Sequence, residues 1–376
     1  MPFAEKSLAE AFAQPIVRRD LELSGLFDLA EAPVGPFQRD SPIDPKPWRA
    51  KGIDVLARVT VDELPASLKL RVDVWLLATG KAEPAYTRTV EVKTARARLG
   101  AHRIADAVLD AVTGRPGGFA SQLAFTARVG KGQQVFLADA DGVDLRGHGP
   151  AGDVALCPAF GPGDEVFYAA SVDFGPFGLV RGPLAVKVPL PVAGSVLGLA
   201  FDAPRARLAL AVMSDGASQI WVGDAAGKKF ESKTKAAFAN HPVFGPLGRM
   251  AWVAGSPPRV FVDGKAVSPA GFAANAPVFC DSPRGVLVVF TVGVGKDTDL
   301  VATDTAGGGL LRLTQGQGAN TYPACSPDGR LVAFFSTRTA GKGAGLYSMP
   351  LSAPARAQRL TPSQGESLRW AAITAE

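Results

Sequence analysis

Three histidines (His102, His148, His241) and three cysteines (Cys157, Cys280, Cys325) are the side chains of this 376-residue chain best suited to proton transfer, metal ligation or nucleophilic attack. Their spacings match no zinc site, which pairs ligands a few residues apart. No Gly-x-Ser-x-Gly nucleophile elbow occurs. "GVGKDT" (293–298) lacks the spacing of a phosphate loop and reads as a turn between strands. Asp202, Asp281, Asn240, Asn275 and Asn320 lie near strand ends. As oxygen donors they leave room for a calcium ion in a central channel; turn and capping roles explain them equally well. His102 falls on the apolar stripe of a helix and reads as packing. His148, in "RGHGPAG", reads as a solvated loop residue, and His241 as either a partner contact or a loop residue where a strand begins. The cysteines sit on or beside strands and are expected as three free thiols, each a small apolar residue.

Composition narrows the classes of function. Apolar residues make up 47% and charged residues 20%, as in a soluble globular protein. The net charge of +5, from 40 basic and 35 acidic residues, is thin and dispersed. Its densest stretch, "KTARARLGAHR" (93–103), opens a helix and reads as a solvated face, not a nucleic-acid stripe. No apolar run approaches the roughly 18 residues of a membrane span. "MPFAEKSLAEAF" lacks the basic and apolar regions of an export signal, so the chain is expected to be cytoplasmic, or exported with its signal removed.

The elements that must position these residues form a repeat. "CPAFGPGDEVFYAAS", "GLAFDAPRARLALAV", "HPVFGPLGRMAWVAG", "APVFCDSPRGVLVVFTV" and "YPACSPDGRLVAFFS" begin at Cys157, Gly198, His241, Ala276 and Tyr322. Taking the fourth position as a marker gives Phe160, Phe201, Phe244, Phe279 and Cys325, and Trp370 continues the series, with gaps of 41, 43, 35, 46 and 45 residues. Each unit reads as an inner strand, a Pro/Gly/Asp turn, an apolar second strand, a third strand such as "QIWVGDAAG", and a weak edge strand such as "GLLRLTQG". A period near 40–45 with several strands per unit is the mark of a β-propeller blade. Trp370 lies on a C-terminal strand at about 367–374 that completes the first blade beside "FASQLAFTA", "QQVFLAD" and "DLRGHG". The expectation is six blades; a β-sandwich with matching turns is the alternative.

Residues 1–117 read as a separate α+β domain, ahead of a propeller over 118–376. A helix is expected at 15–25 with Pro15 near its start, a short helix at "PKPWRAKG", and strands at "IDVLARVTV", "LKLRVDVWLLA" and "AYTRTVEVK". A second helix is expected from Arg96 to Thr113, capped by Gly114, with Leu99, His102, Ala105, Val108, Leu109 and Val112 as its apolar stripe.

"IVRRDLELSGLF", "PWRAKGIDVLARVTV" and above all "AHRIADAVLDAVTGRPGGF", followed by blades with Ser-Pro-Asp-Gly turns, resemble the TolB family over nearly the whole chain. The resemblance implies a non-enzymatic periplasmic scaffold of the Tol–Pal system. Such a protein binds the peptidoglycan-associated lipoprotein Pal and supports outer-membrane integrity and cell division. It implies a monomer without cofactor, nucleic-acid partner or membrane insertion. A TolA-like protein would be engaged only through an N-terminal segment expected to precede Met1-Pro2-Phe3. Family Pal contacts fall before the inner strands, where Ser195, Gly198 and Asn240 stand here, and "NTYP" (320–323) keeps the family-like Asn-Thr-x-Pro. Asn240, His241, Asn320, Thr321 and Tyr322 are therefore the expected partner-facing residues, Tyr322 as the aromatic anchor. Two rivals stand beside this reading: a six-bladed, calcium-dependent lactonase, and a TolB-like propeller serving another envelope complex.

Overall fold

A computed structural model describes residues 8–30, 42–150, 152, 154–171, 175–235 and 238–374. Met1-Pro2-Phe3, before which a TolA-engaging segment is expected, lies outside them. The chain divides into two compact units, Met1–Ser121 and Gln122–Ala375.

In the first unit α1 (Leu8–Ser24) begins well before the expected residue 15. Pro15 lies inside it; sequence rules read proline as a helix start because it lacks the N–H that the helix interior requires. After α2 (Pro45–Arg49), strands β1 (Val55–Glu63), β2 (Ser67–Leu76) and β3 (Tyr86–Lys93) pair antiparallel in that order. Helix α3 (Ala97–Thr113) packs on β2, β3 and α1. It ends where Gly114 takes φ 69° and donates its N–H to the Asp110 carbonyl at 2.8 Å. Leu99, His102, Ala105, Val108 and Leu109 are buried as expected, but Val112 is 39% exposed because the buried stripe stops a turn short of the helix end. A Cβ on Gly100 would meet side-chain carbons of Leu70 and Val92 at 2.8 Å, so this glycine sets how closely the helix approaches the sheet. His102 does more than pack: its Nδ1 lies 2.6 Å from the buried Asp20 carboxylate on α1.

The second unit repeats one antiparallel meander. Strands β4 (Ser121–Val129), β5 (Gly132–Asp139) and β6 (Arg146–His148) are followed by β7 (Val154–Phe160), β8 (Val166–Ser171), β9 (Gly178–Arg181) and β10 (Val186–Val188). Four-stranded sheets follow from β11 (Ser195–Phe201), β12 (Arg207–Ser214), β13 (Ala217–Asp224) and β14 (Glu231–Ser232), and from β15 (Ala239–Phe244), β16 (Met250–Ala254), β17 (Arg259–Val262) and β18 (Lys265–Ala266). The next comprises β19 (Ala274–Ser282), β20 (Gly285–Val294), β21 (Asp297–Asp304) and β22 (Leu311–Arg312). The last comprises β23 (Asn320–Cys325), β24 (Leu331–Ser336), β25 (Gly345–Pro350) and β26 (Gln358–Thr361). The C-terminal strand β27 (Glu366–Ala372) pairs beside β4, and one parallel pair, Gln133 opposite Val154, joins that sheet to the β7–β10 sheet.

The sheets bury their faces against one another. Apolar clusters join β4–β5 to β7–β9, then the β7, β11, β15, β19 and β23 sheets in succession, and the β23 sheet back to β4 and β27 through Phe335, Leu346, Phe125 and Leu368. The first strands follow the same sequence of contacts: β27 with β7, β7 with β11, β11 with β15, β15 with β19, β19 with β23, and β23 with β27. This is a many-stranded, propeller-like β domain, preceded in the chain by a small α+β unit.

Polar groups fasten the tail. Asp164 accepts the Thr374 N–H at 2.8 Å and the Thr374 hydroxyl at 3.0 Å, and pairs with Arg205. Arg205 in turn donates to the Ala372 carbonyl at 2.6 Å. Asp164 also adopts φ 62°, which Asn tolerates better than Ala. Asp164→Ala should destabilise by about 2 kcal/mol and Asp164→Asn by about half that. Hydrogen exchange at the Thr374 amide should accelerate in both; an unchanged rate would show that the tail is held elsewhere.

Candidate functional site

The proline that recurs in the repeat explains the local backbone at the first strands. Registers shift between Leu156 and Ala159, Val196 and Gly198, Asn240 and Val243, Asn275 and Val278, and Thr321 and Ala324. These are β-bulges, where Pro158, Pro242, Pro277 and Pro323 can sit because no ladder N–H is needed there. The residue before each proline takes a left-handed backbone: Cys157 (φ 50°), His241 (47°), Ala276 (49°) and Tyr322 (50°), with Ser367 (54°) at the same place in β27. Such angles cost on the order of 1 kcal/mol each in non-glycine residues and persist where the surroundings fix them.

The bulges aim their side chains at one place. Cys157, His241, Ala276, Tyr322 and Ser367 line a narrow cavity with Pro277 and Arg369. Its volume of about 10 Å³ holds one water-sized group. Gly198 lets β11 close in beside them; a Cβ there would lie 3.1 Å from Pro242 Cδ and 3.4 Å from the His241 nitrogen.

The electrostatics are one-sided. Arg369 donates to the Leu368 carbonyl at 3.2 Å and the Leu199 carbonyl at 3.3 Å, while its buried Nε has no hydrogen-bond partner among the described residues. Burial pushes the Cys157 thiol up, and the Ser367 hydroxyl 3.6 Å away and the Arg369 charge only partly oppose this, so the thiol stays protonated and donates to the Leu197 carbonyl at 3.2 Å. Burial raises Tyr322 to about 12, helped by Glu366. Burial and then Arg369 push His241 down to about 4. His241 is therefore neutral near pH 7, with Nδ1 accepting the Ala276 N–H at 3.2 Å and the ring proton left on Nε2. The charged side chain in the cavity wall is the Arg369 guanidinium.

The expected partner-facing residues fall into two groups. His241 and Tyr322 meet at the cavity, and Thr321, next to Tyr322, is half-buried opposite Phe335. Asn240 pairs with Val253, and its buried side-chain oxygen has no hydrogen-bond partner among the described residues. Asn320 does not face outward. It is fully buried, its amide donates to the Thr298 and Gly318 carbonyls, and its oxygen accepts from Ser336 at 2.8 Å, so it braces β23 against its neighbours.

Other expected residues have local duties. Asp202 accepts the Ala206 and Arg207 amides and pairs with the Arg207 guanidinium at 2.8 Å, a turn role. "GVGKDT" spans the β20–β21 turn. His148 is not a solvated loop residue: it ends β6 half-buried against Tyr168, ring centroids 6.1 Å apart, and burial lowers its pKa.

The three free thiols are also corrected. Cys280 and Cys325 form a disulfide, their Cα atoms 5.4 Å apart, and Cys157 alone is free. The expectation failed because it treated each cysteine within its own strand, whereas β19 and β23 lie side by side. Sequence reasoning also passed over Arg369 and Ser367, since "SLRW" lacks the proline that marks four of the other bulges.

Comparison with known proteins places this geometry. The family model for the TolB amino-terminal domain matches residues 1–83. The Tol-Pal system protein TolB of Azoarcus sp. is 31% identical over 147 residues, 39% of this chain and 34% of that protein. That of Nitrosomonas europaea is 31% identical over 173 residues, covering 45% and 40%. The matched stretches thus span well under half of these curated relatives. The crystal structure of TolB from Acinetobacter baumannii superposes with a TM-score of 0.76 over 99% of this chain and 95% of that one, at 19% identity. A putative TolB from Agrobacterium tumefaciens gives 0.51 over 64% and 88%, at 15% identity. At these identities the two structures speak to the fold.

Proposed function

We propose that this TolB-like chain is a non-enzymatic periplasmic scaffold of a Tol–Pal envelope system, docking a Pal-like lipoprotein and serving outer-membrane integrity and division. In this reading the six sheets are blades about one axis, closed by β27 beside β4. The cyclic run of apolar clusters and first-strand contacts supports that arrangement. The observation that carries the function is the conjunction of a TolB amino-terminal match at the head with a TolB-like fold along 99% of the chain. The relatives' name, Tol-Pal system protein, supplies the system. The Cys280–Cys325 bridge supports an oxidising compartment, where such bonds persist. Among the described residues no helix is long and apolar enough to cross a membrane.

The docking rim is the end of the sheets where first strands begin. Phe238, just before β15, and Phe272, just before β19, are 54% and 48% exposed there. Exposed aromatics at these strand starts, with a cavity of only about 10 Å³ nearby in the chain, suit a protein partner better than a small substrate. The test is calorimetric titration of the chain with the soluble domain of the same organism's Pal, expected to give a dissociation constant of about 1 μM or tighter. Tyr322→Asn, chosen because Asn accepts the left-handed backbone, should weaken binding about tenfold. Absence of heat at roughly 100 μM would sink the assignment.

A further inference from the structure

We infer that the cavity at the strand bulges is a binding site for a small monovalent anion of chloride size, held by Arg369. A guanidinium offers only N–H donors and stays charged. Here its acceptors are two backbone carbonyls, with Nε buried and unmatched among the described residues. A buried cation without a counter-charge is costly, and an anion that can enter relieves that cost. Glu366 is exposed and not part of the cavity wall, and its charge acts on Tyr322 and Cys157 from outside it.

The rest of the wall has the same polarity. Ser367 and Tyr322 carry hydroxyls, and neutral His241, its Nδ1 taken by the Ala276 amide, keeps its proton on Nε2. The Cys157 thiol already donates to Leu197. A divalent cation would meet donors and a like charge, whereas a halide meets a cation and hydroxyls. Room for one water-sized group excludes sulfate and phosphate. The inference does not depend on the docking reading: Pal binding can fail while the anion site stands.

The experiment uses the full chain and two arms. Crystals soaked in bromide should show an anomalous peak within hydrogen-bond distance of the Arg369 Nε. In solution, raising chloride at constant ionic strength, with sulfate as the exchange salt, should raise Tm by about 3 °C per tenfold increase above the dissociation constant. Arg369→Gln should abolish that slope and Arg369→Lys should retain part of it. If Arg369→Gln fails to fold, the wild-type bromide map and chloride slope still decide. A bromide peak with a chloride-independent Tm would mean an adventitious ion only and would overturn the inference, as would an unchanged slope in folded Arg369→Gln.

Discussion

Replacing Cys280 and Cys325 together by alanine should lower the unfolding temperature by roughly 10 °C, and reducing the wild-type protein should reproduce the drop. The bridge spans 45 residues of sequence. Cross-linking a loop of that length removes enough unfolded-state entropy to stabilise by about 4 kcal/mol, and each kcal/mol shifts a domain of this size by about 2–4 °C. The bond ties β19 to β23, neighbouring first strands, inside an apolar cluster with Val289, Leu300, Val332 and Phe334. Alanine is the right probe because a serine hydroxyl there would be buried without a partner and add its own cost. A wild-type Tm that moves by less than about 2 °C on reduction would show that packing alone holds these two sheets.

The signal for that bridge was in the sequence and needed one more physical step. Cys325 occupies the repeat's marker position, while Cys280 is one residue past it, after Phe279. Successive strand residues point to opposite faces. Adjacent sheets meet through opposite faces, so a one-residue offset is what lets two cysteines in consecutive repeats face each other. Phe279 accordingly packs toward the β15 sheet and Cys280 toward the β23 sheet.

Other features were legible because they depend on local rules. The limits of α3 follow from its 3.6-residue stripe and the glycine behind it, and the repeat follows from prolines that a regular strand could not hold. The cavity was not legible. Cys157, His241, Ala276, Tyr322 and Ser367 share no chemistry; they share a left-handed backbone, and only the assembled sheets bring them together. Asn320 misled for a related reason. Its place before a strand suggested the rim, but burial of its amide against Thr298 and Ser336 is set by the neighbouring strands.

The same cavity makes stability depend on acid. His241 titrates at about 4 in the folded chain and near 6.5 in the unfolded one. Between those values the unfolded chain binds a proton that the folded chain refuses, so stability falls as pH drops from about 6.5 to about 4 and is fully present above that window. The difference corresponds to about 3 kcal/mol at most, less to the extent that water in the cavity screens the ring. Burial is the larger cause and the Arg369 charge the second, while Cys157 and Tyr322 remain neutral across the window. Protonation would also cost the Nδ1 acceptor of the Ala276 amide. His241→Asn removes the titration and keeps a residue that tolerates φ 47°. Denaturant unfolding at pH 7, 5 and 4 should show the wild type losing more stability than His241→Asn, the difference cancelling the carboxylates common to both. Parallel losses in the two proteins, or an imidazole resonance titrating above pH 6, would refute the assignment. An anion on Arg369 would offset the second cause, so the imidazole titration should move upward when chloride replaces sulfate at fixed ionic strength.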